Sequence, residues 1–222
     1  QLSYFDIRDK DVPHLLDFAD LVEKNHSLTS LAFLSGGISI LVGDSGGGIS
    51  QWFPVRDESN NYALKKVRSF DAFDSNITIL TPEYFRKGFV AADSQGNAGL
   101  FHATAGRVLS VESIAAEILR KIAISPRADG MLLVTDSGYG ELRRVHNEHP
   151  EISWNSIWSE VWYESRAGPE YIWQSSSASN DFEPKFSLAP LTFGTLKAAF
   201  YAMLFAIPLA IIGWNIIDYF IA

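Results

Sequence analysis

The chain has 222 residues, 47% of them hydrophobic and 13% aromatic, which is too much apolar surface for a disordered polymer. Its 18 basic and 26 acidic residues leave a net charge of -8 at pH 7, which repels phosphate backbones and excludes nucleic acid as the expected partner. With no cysteine there are no disulfides, thiolate zinc sites or thiol nucleophiles, and the redox compartment stays open.

From the N-terminus, QLSYFDIRDK lacks the basic-then-apolar layout of a signal peptide. The stretch YFDIRDKDVPHLLDFADLV reads as the tail of a β-blade. Three windows then repeat: Leu28 to Trp52, Ile77 to Phe101 and Leu119 to Arg144. Each holds an apolar alternating strand, a Gly- or Pro-bearing turn, a second apolar strand, an Asp-Ser pair and a third strand. The pairs begin at Asp44, Asp93 and Asp136, spaced 49 and 43 residues apart, and eight residues after each stand Trp52, Phe101 and Arg144. An Asp that caps a tight turn and a Gly that supplies positive φ predict a hairpin at each site, between the second and third strands. A fourth strand, ALKKVRSFDAF, follows the first window.

Short alternating strands with Asp/Gly turns at this period mark a β-propeller. The first window resembles a WD repeat in its Ala-Phe, Gly, Gly-Asp and Trp positions, but Trp52 is followed by Phe53, not Asp. The expected fold is therefore mainly β: about three WD-repeat-like blades plus a partial one over 1–160, a linker over 161–190 and a transmembrane helix over 191–222. Three blades and a fragment fall short of a closed ring, so the chain is expected to begin inside a propeller.

Two clusters invite catalytic or metal readings. Gly43-Asp44-Ser45-Gly46-Gly47 copies the nucleophile loop of chymotrypsin-like proteases, yet neither His14 nor His26 has that family's histidine setting, and the Asp-Ser pair recurs three times as a turn would. His146 and His149, with Glu148 and Glu151, have ligand chemistry but lie in a Pro-broken loop. Asn76-Ile77-Thr78 matches a glycosylation acceptor, and Ser175 to Ser179 reads as a linker. No nucleophile, base and oxyanion site assemble, so a non-catalytic chain without cofactor or metal is expected.

Beyond Leu188 only Lys197 and Asp218 are charged, and between them Ala198 to Ile217 runs 20 residues without an ionisable group. As a helix that run is about 30 Å long, the thickness of a bilayer core, with Tyr201 at one end and Trp214 and Tyr219 at the other. Pro208 sits inside it, where a kink or a neighbouring helix must absorb the lost hydrogen bond.

The junction Val161 to Ile211 closely resembles the PstC-type permease of bacterial phosphate ABC transporters. The resemblance rests on Leu188, Pro190, Leu191, Gly194, Thr195 and Leu196, then Ala206, Pro208 and Leu209, then Asp218-Tyr219; Trp214-Asn215 departs from it. It implies that Pro190, Gly194 and Thr195 open the second span of a permease core, with a propeller inserted between spans. It also implies a bacterial inner-membrane location and a periplasmic polar domain. The implied partners are a second permease subunit, cytoplasmic ATPase subunits, a periplasmic phosphate-binding protein and membrane lipid. One helix forms no pathway, so this chain alone would transport nothing. Glu170 to Pro190 is expected to act as a tether, and the acidic disc to stand off anionic headgroups. The alternative is a tail-anchored β-propeller that binds a protein partner.

Overall fold

The computed structural model describes residues 1–57, 59, 61–114, 117–174 and 183–221, with backbone alone at Asp218 and Phe220. Strands β1 (Leu2–Asp6) and β2 (His14–Ala19) form a two-stranded antiparallel ribbon. A four-stranded meander follows: β3 (Leu28–Phe33), β4 (Ile40–Asp44), β5 (Gly48–Arg56) and β6 (Tyr62–Asp71). The next repeats it with β7 (Ile77–Pro82), β8 (Gly88–Asp93), β9 (Asn97–His102) and β10 (Arg107–Ser113). A three-stranded sheet closes the series with β11 (Leu119–Ile124), β12 (Gly130–Thr135) and β13 (Gly140–Arg144). These are propeller blades, so the chain is mainly β, with two complete blades, one three-stranded blade and one partial blade.

The burial pattern explains the stacking. Every residue of β8 is buried, as are Ile40 to Gly43 of β4, because second strands are covered on both faces by neighbouring blades. Such strands read as continuous apolar runs (ILVG, GFVAA), whereas β10 and β13 expose charged residues along the rim. The first strands, β3, β7 and β11, sit side by side. Threonine hydroxyls stitch them: Thr29 Oγ1 donates to Ile77 O at 2.6 Å, and Thr81 Oγ1 to Ile122 O at 3.2 Å. A Cβ on Gly43 would fall 2.2 Å from Ser30 Oγ and 2.7 Å from the Ile77 side chain, so this approach requires glycine.

Apolar layers fill the spaces between blades. Leu34, Leu41, Ile49, Phe70, Phe73, Ile77, Phe89 and Phe101 join the two complete blades. Phe89 and Phe101 stack at 4.9 Å, and Phe70 meets both edge-on at 5.4 and 5.8 Å. Val90, Ala92, Ala98, Leu119, Ile122, Met131 and Leu133 join the next pair. Apolar residues are exposed at both ends of the series: Phe5, Leu15 and Phe18 at one, the cross-strand pair Leu132–Leu142 at the other.

The blades have two ends. One carries the turns between second and third strands. The other carries the loops between first and second strands (34–39, 83–87, 125–129) and between third and fourth. After β13 no fourth strand forms among the described residues. Instead the chain crosses the loop end through α1 (Trp154–Trp158), a bridge between Val161 and Glu170, and β14 (Trp173–Gln174) paired with β15 (Lys185–Phe186). It then enters α2 (Ala189–Ile221).

This corrects the expected linker over 161–190. Val161, Tyr163, Glu183, Lys185 and Ser187 are buried, so the described parts of that segment form a docked closing layer. The aromatic and charged residues that look like a solvated tether in sequence find partners on the blades. The Ser175 to Ser179 stretch lies outside the described residues.

Candidate functional site

At the turn end, register fixes which residues are equivalent. Asp44 pairs with Leu28, Asp93 with Ile77 and Thr135 with Leu119, the first residue of each first strand. The next amide closes each corner: Ser45 N donates to Ser27 O, Ser94 N to Asn76 O, and Asp136 N to Ile118 O. The positive-φ glycine stands three residues after each first position, at Gly47 (91°), Gly96 (84°) and Gly138 (86°). The expectation for Asp44 and Asp93 therefore matches the geometry. Asp136 also lies in the expected hairpin, between β12 and β13, but its equivalence is corrected: it occupies the position of Ser45 and Ser94, and Thr135 takes the aspartate's place. Sliding the Asp-Ser pair by one residue hides this from a dipeptide alignment. The spacing to glycine, three in the first two windows and two in the third, would have revealed it.

The two aspartates hold their turns differently. Asp44 Oδ1 accepts from Gly46 N at 2.7 Å and Gly48 N at 3.1 Å, with His26 Nδ1 3.4 Å away. Asp93 is buried and accepts from Gln95 N, Asn97 N, Asn97 Nδ2 and Ser75 Oγ at 2.7–2.9 Å. Burial pushes its carboxyl up, but hydrogen bonds from Asn97, Ser75 and Gln95 outweigh that and hold it below the ordinary carboxylate range. Asp93→Ala is expected to cost about 1–3 kcal/mol by stranding buried donors. Asp136→Ala, at an exposed position, is expected to stay within about 0.5 kcal/mol. Denaturant midpoints of the detergent-solubilised chain measure both.

The chymotrypsin-like pentapeptide is the β4–β5 hairpin. Ser45 Oγ accepts from Ser27 N at 3.0 Å, and Asp44 serves its own turn. His26, which has no protease-like setting in sequence, does reach Asp44 by folding, and its ring fills the space beside Gly46. His149 lies 3.7 Å from Glu151 on an exposed loop, and among the described residues no three His, Cys, Asp or Glu gather as metal ligands.

At the loop end, the closing layer is latched by buried charge. Lys87 Nζ, 1% exposed, donates to Ser35 O and lies 2.6 Å from Glu164 Oε2. Glu183 accepts from Thr104 Oγ1 at 2.5 Å and from Glu164 N at 2.7 Å; burial pushes its carboxyl up. Arg68 Nη2 donates to Trp162 O and Nη1 to Gln51 Oε1. Burial, with Glu183 nearby, pushes the Tyr163 phenol up to about 12, and Lys185 Nζ sits 5.7 Å from the Tyr163 ring centroid. These groups lie 77 to 94 residues apart in sequence where they cross from blade to closing layer, and none stands in a recognisable motif.

α2 begins at Ala189, two residues before the expected start, because Pro190 fits a first helical turn whose amides need no intrahelical acceptor. Pro190, Gly194 and Thr195 are thus the first turns of one continuous 33-residue helix. Thr195 Oγ1 donates to Leu191 O, and Asn215 Nδ2 to Ile211 O, so both polar side chains are satisfied on their own helix. α2 runs on through Pro208. The most apolar 18-residue stretch of Ala189–Ile217 has mean hydropathy 2.0 and none of it is buried, so this is not a buried core helix; it is long and apolar enough to cross a membrane. The Asp218 side chain lies outside the description.

No known family profile matches the sequence, and no curated protein does. Among solved structures, a chain of the crystal structure of the mitotic checkpoint complex is similar in fold, with TM-score 0.50 and 12% identity. The match covers 65% of this chain and 43% of that one, so this chain spans less than half of its structural neighbour. At that identity the likeness carries the propeller fold and nothing of that assembly's role.

Proposed function

We propose that this chain is a membrane-held, non-catalytic β-propeller scaffold that offers its turn end to a protein partner. The observation that carries the reading is the polarity of the domain. The closing layer occupies the loop end and runs directly into α2, so the helix leaves from that end and the Asp44, Asp93 and Thr135 turns point away from it. A photo-crosslinking residue placed at Gln95 or Ser137, both exposed on the turn end, is expected to trap a discrete partner in cells. The same residue at Asn61, exposed at the loop end, is expected not to. Adducts from Asn61 with none from the turn end would contradict the proposal.

A second, finer reading is favoured by the residues at the helix opening. Leu188, Pro190, Leu191, Gly194, Thr195 and Leu196 match the permease pattern, and they run into an unbroken helix that the match requires. Under it the scaffold is the periplasmic insert of a phosphate ABC importer permease in the inner membrane. Its partners would then be a second permease subunit, ATPase subunits and a phosphate-binding protein. Deleting the native gene that encodes this segment should then abolish ATP-dependent uptake of labelled phosphate, and the restored gene should return it. Unchanged uptake would leave the scaffold reading alone.

A further inference from the structure

We propose that the exposed aromatic patch at the root of α2 is a lipid-interface anchor, which seats the loop end of the propeller in the headgroup region of the bilayer that α2 crosses. The proposal rests on the membrane reading of α2 and goes beyond it, since a span alone leaves the height and tilt of the domain open.

The patch is assembled by folding. Ser153 caps α1 in a reciprocal capping box with Ser156, which turns Trp154 and Trp158 outward. Their rings lie 6.2 Å apart, and Trp154 is 79% exposed. Trp173 pairs with Phe186 across β14–β15, their rings 6.2 Å apart, and Tyr171 is exposed beside it. Ile157 O accepts from Leu188 N at 2.9 Å, and Ile172 O accepts from Ser187 N at 3.0 Å. Both aromatic groups therefore join the chain one or two residues before α2 begins.

Charge and length point to lipid as the occupant. Ile152 to Ser159 holds eight residues without an ionisable group, in a domain whose net charge is strongly negative. Aromatic residues with a polar edge are favoured at the headgroup level, and the charge-free run Ile152 to Ser159 faces little headgroup repulsion there, with Glu151 and Glu160 only at its edges. The candidate span Ala189–Ile217 has 29 residues and is about 44 Å long, close to the ~40–45 Å of a bilayer counted through both headgroup regions. With the aromatic patch at headgroup level, the root of α2 starts there and the charge-free run Ala198–Ile217 fills the ~30 Å core. Lys197, whose Nζ lies 6.0 Å from the Tyr201 ring centroid, then reaches up to the interface along its own stem. Under this proposal the acidic disc stands off the membrane at its turn end and touches it at its loop end.

The absence of native cysteine makes the test clean. Single spin labels at Asn155, Ile207 and Asp136 are introduced into the full chain in phosphatidylcholine vesicles, and collision with oxygen is compared with collision with a water-soluble nickel complex. The expected order of depth is Ile207 in the core, Asn155 at the interface and Asp136 in water. Trp154→Ser with Trp158→Ser should shift the Asn155 label into water while leaving Ile207 in place. An Asn155 label as water-exposed as Asp136, with Ile207 still in the core, would overturn the anchor and leave the span. An unchanged Asn155 depth in the double variant would also overturn it. Ile207 in water would instead overturn the membrane reading on which the anchor rests.

Discussion

Replacing Lys87 by methionine is expected to lower the unfolding free energy by about 3–5 kcal/mol, the cost of leaving a buried charge without its partner. Lys87 is 1% exposed, and its ammonium is the ion-pair partner of Glu164, whose side chain is 6% exposed. Lys87 bonds Glu164 Oε2, and Oε1 has no hydrogen-bond partner among the described residues, so removal of the ammonium strands the carboxylate. The pair joins the β7–β8 loop to the closing layer, so the loss should loosen residues 161–174 and 183–187 first. Adding Glu164→Leu to Lys87→Met should recover most of the loss, because two apolar side chains of similar volume avoid the desolvation penalty altogether. Denaturant unfolding of wild type, both single variants and the double variant gives the coupling energy. Additive losses would show that the two groups do not act as a buried pair. High salt should change the wild-type midpoint little, since the pair is shielded from solvent.

Acid is expected to destabilise the domain through His102. The imidazole is 1% exposed, and its Nδ1 accepts a hydrogen bond from Ala105 N, so the fold requires the neutral ring. Burial, with Arg86, Arg68 and Arg107 around it, pulls the ring from an ordinary value of 6.5 down to about 3. The folded state therefore resists a proton that the unfolded chain accepts. Stability from this group is full above pH 6.5 and is lost as pH falls from there towards 3, to a ceiling on the order of 5 kcal/mol. The carboxyls of Glu183 and Glu83 are pushed up by burial and act in the opposite sense, gaining stability as pH falls. Subtracting the pH profile of His102→Gln from that of wild type isolates the imidazole. The difference should change with pH between about 6.5 and 3 and flatten above it. Parallel profiles would contradict the assignment.

The blades were legible in the sequence because a second strand covered on both faces must be an unbroken apolar run, and because a tight turn needs its Asp and Gly. Ile40 to Gly43 and Gly88 to Ala92 announce themselves in this way. The third turn was misread by one residue, since Thr135 can replace an aspartate where Ser137 Oγ and Tyr139 O lie within reach. The helix was legible from its charge-free length, but its start was set two residues late because Pro190 was counted with the tether and in fact fits the first turn. The latch was not legible. Lys87, Glu164 and Glu183 are ordinary surface residue types, and only long-range contact turns them into a buried network. For the same reason nothing in the sequence groups Trp154 and Trp158, four apart on α1, or Trp173 with α2.

The central claim is that a propeller stands on one side of a membrane and α2 crosses it. It is tested by single cysteines at Ser137, on the turn end, and Ile221, at the last described residue of the helix, each in otherwise cysteine-free sequence. Sealed cells are treated with a membrane-impermeant maleimide, then lysed and treated again. The account predicts that Ser137→Cys is modified before lysis and Ile221→Cys only after it. Modification of Ile221→Cys alone before lysis would reverse the orientation and remove the permease reading. Modification of both before lysis would contradict the crossing itself.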